Sequence, residues 1–198
     1  QQIERAGLTD IHAKIIDGQR LSTDDGLRLY ACDDLSTIGY LANLVRQARH
    51  GDTTYYVRNQ HINYTNVCNK LCRFCSFYVK PNHEQGYVLT PEQVADRVRQ
   101  YADVPITEIH MVGGVNPKLP YEYYLDVLKA MKLARPEAHL KAFTMIEIAQ
   151  IQRIAKKPLE DVFADLRAAG LESIPGGGAE VFSDRVHEDL FWTKADSE

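Results

Sequence analysis

The stretch HINYTNVCNKLCRFCSFY, residues 61 to 78, joins a strand-like run to a cluster of three cysteines. Its first seven residues are rich in aromatic and β-branched side chains, as β-strands are. Cys68, Cys72 and Cys75 follow directly, so they are expected on a loop at the end of that strand. In parallel α/β barrels the loops after strands carry the chemistry, and this loop is therefore the first candidate site.

Strand-like and helical patterns alternate on the C-terminal side of this loop. Helical patterns occupy residues 90–102, 121–134 and 158–170, and strand-like runs occupy residues 106–112, 139–145 and 171–175. Thr90, Pro91 and Gln93 form a capping-box pattern at the first of these helices. Such alternation predicts an α/β fold with parallel strands. No G-x-G-x-x-G loop opens the first helix, so we prefer a TIM-type (β/α) barrel to a doubly wound sheet.

The first fifty residues are predicted to be helical. TDIHAKIIDG and DLSTIGYLANLVRQARHG carry apolar residues at helical spacing, and each stops at a glycine. Ser36 is the predicted N-cap of the second helix. We therefore expect a helical segment, residues 1–52, that packs on a barrel built by residues 53–198. TTYYVRN, from Thr53, is expected to be strand as well. Because a full barrel takes about 250 residues, the chain is expected to be a partial barrel, truncated after about four βα units.

Composition narrows the possible partners and location. The 198 residues carry a net charge of −4 with acidic and basic residues interspersed, which does not favour a nucleic-acid partner. No apolar run reaches the length of a membrane span, and the N-terminal residues lack the apolar region of a signal peptide. Three clustered cysteines among four are typical of metal or catalytic sites in a reducing compartment. We expect a cytoplasmic protein.

The cysteine cluster offers one ligand too few for a tetrahedral metal site. A zinc site would need His83 or Cys32 as the fourth ligand, and neither completes a familiar spacing. An iron–sulfur cubane usually binds four thiolates, so three cysteines leave one iron free to bind a substrate or cofactor. An electron-transfer iron–sulfur protein and a structural zinc module are the alternatives outside enzyme function.

The C-x-x-x-C-x-aromatic-C pattern, with Phe74 as the aromatic, resembles the signature of the radical S-adenosylmethionine (SAM) superfamily. The resemblance implies a [4Fe–4S] cluster held by Cys68, Cys72 and Cys75, with SAM on the open iron and Phe74 beside the cofactor. An electron from the reduced cluster would cleave SAM to methionine and a 5′-deoxyadenosyl radical. An electron donor such as flavodoxin or ferredoxin is implied as a partner.

Two glycine-rich strand ends are candidates for binding the cofactor. Gly113 and Gly114 resemble the GGE motif of the superfamily, whose backbone meets the amino group of SAM, although Val115 replaces its acidic residue. Glu180 follows the glycine run of IPGGGAE and is expected to accept hydrogen bonds from ribose hydroxyls. An ordinary turn and an exposed glutamate at a helix start are the structural alternatives.

Polar residues in and after the strands are candidates for binding the substrate. His61, Asn63 and Thr65 alternate along the first strand and share one face, which is expected to face the barrel interior. His61 could also donate a proton. Thr144 and Glu147, after the third strand, are similarly placed and complete this group of candidates.

Four segments taken together resemble one branch of the superfamily, which makes futalosine compounds and the deazaflavin of coenzyme F420. They are HINYTNVCNKLCRFCSFY, MVGGVNP, KAFTMIEI and SIPGGGAE. KAFT and GGGAE are most similar to the aminofutalosine synthase family of menaquinone biosynthesis. That resemblance implies a transferase whose small-molecule partner is a carboxylate, 3-[(1-carboxyvinyl)oxy]benzoate. Few cationic groups that could bind it are evident at the strand ends.

Overall fold

The computed structural model of the chain describes residues 1–177 and 180–194. The chain divides into two compact units, Gln1–Tyr56 and Val57–Glu198. Helices build the first unit: α1 (Gln2–Arg5), α2 (Thr9–Ile16), α3 (Thr23–Tyr30) and α4 (Leu35–His50). Leu8, Ile11 and Leu41 form its core, and Cys32 packs half-buried on that core.

Two sequence-based expectations around α4 are corrected by the structure. Asp34, not Ser36, is the N-cap of α4, and its carboxylate accepts a hydrogen bond from the Thr37 N–H at 3.0 Å. The charged acceptor two residues earlier outcompetes the Ser36 hydroxyl, so the helix starts sooner. Residues 53–58 form no strand and are exposed. Their aromatic and β-branched composition suits a sheet surface, but none of them pairs with a strand among the described residues.

Strands and helices alternate in the second unit. They are β1 (Asn59–Asn63), α5 (Pro91–Arg99), β2 (Glu108–Val112), α6 (Tyr121–Ala134), β3 (His139–Ala142), α7 (Met145–Ala155), α8 (Leu159–Ala168) and α9 (Asp184–Phe191). The predicted capping box at Thr90 is confirmed, since its side chain accepts from the Gln93 N–H and the Gln93 side chain accepts from the Thr90 N–H. Helix α7 was not predicted.

The three strands form one parallel sheet in the order β1-β2-β3. A single parallel bridge between Lys141 and Ser173 extends the sheet toward the predicted fourth strand. Side chains alternate between the two faces of each strand. Ile62, Ile109 and Leu140 lie on the face that packs against the helices, where they belong to one large apolar core. The α/β fold with parallel strands is therefore confirmed.

Among the helices formed by residues 1–177 and 180–194, none combines the length and the apolar character needed to cross a membrane.

Candidate functional site

The three clustered cysteines lie on one loop that leaves the carboxyl end of β1, called the cysteine loop below (residues 64–79). Cys68 and Cys72 are buried, Cys75 is half-buried, and all three are free thiols. The Lys70 N–H donates to Cys68 Sγ at 3.3 Å. Hydrogen bonds of this kind to cysteine sulfur tune the iron–sulfur clusters that such ligands hold.

Burial dominates the electrostatics of these thiols. It raises the pKa of Cys68 and of Cys72 above the usual thiol range. Cys75 raises the pKa of both further, so the three sulfur atoms lie close enough to interact. Lys194 acts in the opposite direction on Cys72. Thiolates in such a place need positive charge beside them, which bound iron would supply.

The cysteine loop fits an iron–sulfur cluster by its donor atoms. Thiolate is the ligand such clusters use, and the three thiols are unpaired. Within the described ranges, no three His, Cys, Asp or Glu side chains are arranged so that they could bind a metal ion as they lie. The fit of the loop to an iron–sulfur cluster therefore rests on the chemistry of its donor atoms. His83, considered as a zinc ligand, is exposed, and its Nδ1 accepts a hydrogen bond from the Gln85 N–H at 3.2 Å.

Hydrogen bonds anchor the first cysteine above β1. The Cys68 N–H donates to Val79 O at 3.0 Å, and the Val79 N–H donates to Asn66 O at 2.9 Å. The Asn66 side chain accepts from the Tyr87 N–H at 2.9 Å and donates to Gln85 O at 3.0 Å. The Asn66 side chain therefore joins the cysteine loop to residues 85–87, which follow it.

The glycines after β2 pack directly on the cysteine loop. A Cβ on Gly114 would lie 2.3 Å from Val67 O, and a Cβ on Gly113 would lie 2.8 Å from Tyr64 Cε1. Only glycine permits so close an approach between the end of β2 and the loop. Contact between these glycines and SAM remains a prediction.

A buried carboxylate ties the carboxyl ends of the three strands together. Glu147, in the first turn of α7, is 2% exposed. Its Oε1 accepts from the Tyr64 hydroxyl at 2.7 Å and from the Gly113 N–H at 3.1 Å. Its Oε2 accepts from the Thr144 N–H at 2.8 Å and the Thr144 hydroxyl at 2.6 Å. Burial raises the pKa of Glu147 to about 6, against these hydrogen bonds, which favour the charge.

Thr144 has a structural role in this arrangement. It is the N-cap of α7, and its hydroxyl donates to Glu147 and accepts from the Glu147 N–H at 3.4 Å. The hydroxyl is thus engaged within the protein, and its contact with a substrate remains a prediction.

Helix α9 lies against the cysteine loop. The Arg73 N–H donates to Leu190 O at 2.7 Å. The ring of Phe74 meets that of Phe191 edge-on, with 5.6 Å between centroids. Phe74 is otherwise exposed. The side chain predicted to flank the cofactor therefore has one face free, and that role remains a prediction.

Glu180 lies close to the same part of the site. It forms an ion pair with Lys194, whose side chain is 9% exposed, and both groups influence the pKa of Cys72. Gly176 O, in the predicted glycine run, accepts from the Met145 N–H at 2.9 Å. Gly178 of that run lies outside the described residues. Hydrogen bonding of Glu180 to ribose remains a prediction.

The face of the sheet opposite the helices is polar. His61 and Asn63 lie on this face of β1, as expected from their alternation. Asn63 Nδ2 donates to Val112 O at 3.0 Å, and the His61 ring stands 5.1 Å from that of His110. Thr65, beyond the end of β1, is buried instead, and its hydroxyl donates within the protein.

Two polar residues of the site, His110 and Lys141, were missed in the sequence, and the structural role of Glu147 was not predicted. His110 and Lys141 lie on the polar face beside His61, and Glu147 lies beneath the strand ends. The alternation of Glu108, His110 and Val112 along β2 could have identified the first. The pattern Thr144-x-x-Glu147 could have identified the structural role of Glu147, because it is a capping box.

Comparison with known proteins gives consistent matches. The family model described as "Radical SAM superfamily" matches residues 62–194. "Aminodeoxyfutalosine synthase" of Thermus thermophilus is 39% identical over 191 residues, covering 96% of this chain and 51% of the relative. "Cyclic dehypoxanthine futalosine synthase" of Halalkalibacterium halodurans is 38% identical over 174 residues, covering 87% and 47%. The chain spans about half the length of the curated relatives it matches.

A solved structure supports the architecture. The crystal structure of methylornithine synthase matches with a TM-score of 0.69 at 16% identity, covering 93% of this chain and 51% of that chain. At this identity the likeness concerns the fold alone. The predicted TIM-type arrangement, present here as a partial barrel, is confirmed.

Proposed function

The chain belongs to the radical SAM superfamily, and we propose that it transfers the 5′-deoxyadenosyl group of SAM to 3-[(1-carboxyvinyl)oxy]benzoate, with release of methionine and loss of carbon dioxide, forming aminofutalosine. The observation that carries this proposal is the cysteine loop, where three unpaired thiols lie beside the close-packed glycines of β2. The relative named aminodeoxyfutalosine synthase, which matches nearly all of this chain, supports the choice of reaction.

Cys68, Cys72 and Cys75 would hold a [4Fe–4S] cluster. Such a cluster, when bound, supplies the electron that cleaves SAM. The main chain at Gly113 and Gly114 would meet the amino group of SAM, as the resemblance to the GGE motif implies. The protein would hold the two reactants in line and keep water away from the reactive carbon.

The adenosine and substrate contacts belong to residues around this loop. We propose that Phe74 and Glu180 contact the adenosyl part of SAM. His61, Asn63 and Thr144 are the proposed substrate contacts. His61 and Asn63 lie on the polar sheet face, which is where a small polar molecule inside a barrel would be held.

The electron would come from a flavodoxin or a ferredoxin. Unpaired, partly buried cysteines persist in reducing surroundings, which supports the proposal that the enzyme works in the cytoplasm. These proposals concern the cellular setting and do not affect the chemistry of the loop.

A second candidate is the reaction of the sister enzyme, in which the radical abstracts a hydrogen and the substrate cyclises. A relative named cyclic dehypoxanthine futalosine synthase matches at nearly the same identity, 38%. The two reactions differ in the fate of the adenosyl group, which ends in the product in the first and leaves as 5′-deoxyadenosine in the second.

Product analysis distinguishes the two reactions. The reduced protein would be incubated anaerobically with SAM and the enol ether, and the products would be identified by mass spectrometry. We expect one product that contains both adenine and the benzoate ring, together with one methionine. Free 5′-deoxyadenosine with unchanged enol ether would contradict the proposal. Cys75→Ser should abolish product formation, while the matched Cys32→Ser, in the other unit, should retain it.

A further inference from the structure

A row of basic side chains crosses the polar face of the sheet. The strand register pairs His61 with His110 and His110 with Lys141. Consecutive strands in a sheet are about 4.8 Å apart, so these three side chains are immediate neighbours. His61 is exposed, and His110 and Lys141 are half-buried. Three nitrogen-bearing groups thus stand side by side on the barrel-interior face.

The other face of the same strands is occupied by the core. Ile62, Met111 and Ala142, each adjacent in sequence to one member of the row, are buried against the helices. The basic row therefore cannot turn toward the core. It faces the side of the sheet that forms the interior of a barrel.

The charges in the row are only partly compensated. Lys141 Nζ lies 3.1 Å from Glu108 Oε1, and the Glu108 side chain is 10% exposed. An ammonium has three donors, so one partner leaves others for a ligand. Burial and the neighbours His61 and Lys141 lower the pKa of His110, while Glu108 opposes this. An anion placed between the two histidines and the lysine would relieve that repulsion.

We propose that His61, His110 and Lys141 bind the aromatic carboxylate of the substrate, an inference that rests on the function proposed above. A benzoate carboxylate has two oxygens, which accept hydrogen bonds from two neighbouring donors in the row. The reaction takes place at the enol ether, so the aromatic carboxylate has only to be held in place.

The position of the row along the strands agrees with this role. His61 lies two residues before the end of β1, and the cysteine loop begins just beyond that end. At about 3.3 Å per residue, the row is roughly 7 Å below the top of β1. An anchored carboxylate would therefore direct the rest of the molecule, its enol ether included, toward the cysteine loop.

Benzoate itself is the probe for this site, because it carries the carboxylate and ring without the reactive group. Histidine ring protons would be followed by NMR during a benzoate titration, with no SAM and no reductant present. We expect saturable shifts of the His61 and His110 signals and a rise in the pKa of His110. Lys141→Met and His110→Gln should weaken benzoate binding roughly tenfold or more, the effect of losing one charge-assisted hydrogen bond.

Two further variants control for charge and fold. Lys129→Met removes an exposed lysine of α6 that pairs with Asp126 at the surface, and it should leave benzoate binding unchanged. Lys141→Arg keeps both the charge and a partner for Glu108, and it should retain binding. Circular dichroism would verify that each variant is folded.

The outcomes separate this inference from the proposed function. Failure of benzoate to bind, or equal binding by folded wild type, Lys141→Met and His110→Gln, would overturn the carboxylate site. If benzoate binds to the row as expected but the turnover assay yields no adenine-containing product, the anion site stands and the proposed reaction fails. If the protein forms that product but benzoate does not bind to His61, His110 and Lys141, the carboxylate site is wrong and the proposed reaction stands.

Discussion

Replacing Glu147 with alanine tests whether this carboxylate holds the strand ends together. The change removes the acceptor of four donors: the Tyr64 hydroxyl, the Gly113 N–H, and the N–H and hydroxyl of Thr144. Each buried donor left without a partner costs about 1–3 kcal/mol. Tyr64 is fully buried, whereas Gly113 and Thr144 are half-buried and can recover part of the loss from water. We therefore expect Glu147→Ala to lower the free energy of unfolding by about 4 kcal/mol, toward the large end of single-residue effects.

Urea unfolding followed by circular dichroism at pH 7.5 measures this difference. The matched control is Glu122→Ala, which removes an exposed glutamate from the first turn of α6. That change should alter the free energy of unfolding by about 0.5 kcal/mol, the usual size of a dipole effect. A loss of less than about 1 kcal/mol in Glu147→Ala would refute the reasoning, since it would mean that the four donors do not depend on this acceptor.

Three other predictions follow from the same contacts. The hydrogen bonds to Glu147 persist at pH 7.5, but its pKa, raised from 4.5 to about 6, adds a protonation-dependent contribution to the free energy of unfolding that is complete below pH 4.5 and lost as the pH rises through 6. That loss amounts to about 2 kcal/mol. In urea titrations between pH 4.5 and 7.5, the free energy of unfolding should fall with pH in the wild type and fall less in Glu147→Gln. Gly114→Ala should destabilise by about 3 kcal/mol or more and lower iron binding, because its Cβ would lie 2.3 Å from Val67 O. Gly39→Ala in α4, whose Cβ would meet nothing within 4 Å, should instead raise stability by about 0.5–1 kcal/mol in thermal unfolding. If Gly39→Ala were less stable than Gly114→Ala, the packing argument would be contradicted. Asn66→Ala should cost about 2 kcal/mol and speed amide hydrogen exchange in residues 85–87, and unchanged exchange would show that Asn66 does not hold these residues to the cysteine loop.

Capping boxes and glycines predicted the ends of some helices and strands correctly. The Thr90 capping box and the glycines after β2 indicated helix and strand boundaries correctly, because both act within a few residues. Ser36 was wrong as an N-cap because Asp34, just before it, is the stronger acceptor. Helix α7 was missed although Thr144 begins an equally clear capping box.

Contacts across the sheet could not be predicted in the same way. The cysteine spacing indicated the cofactor chemistry, since all three donors lie on one loop. The row of His61, His110 and Lys141 depends on strand register, which joins residues far apart in sequence. Glu147 likewise acts on groups from three strands, and its role is visible only once they are aligned.

The most direct test of the central claim is electron paramagnetic resonance of the reduced protein after anaerobic reconstitution with iron and sulfide. Spectra would be recorded with and without SAM. If three cysteines leave one iron open, the signal of a [4Fe–4S] cluster should appear and should shift when SAM is added. A cluster signal that ignores SAM would contradict the open site and favour electron transfer. Stoichiometric zinc with no cluster would contradict the assignment of the cysteine loop altogether.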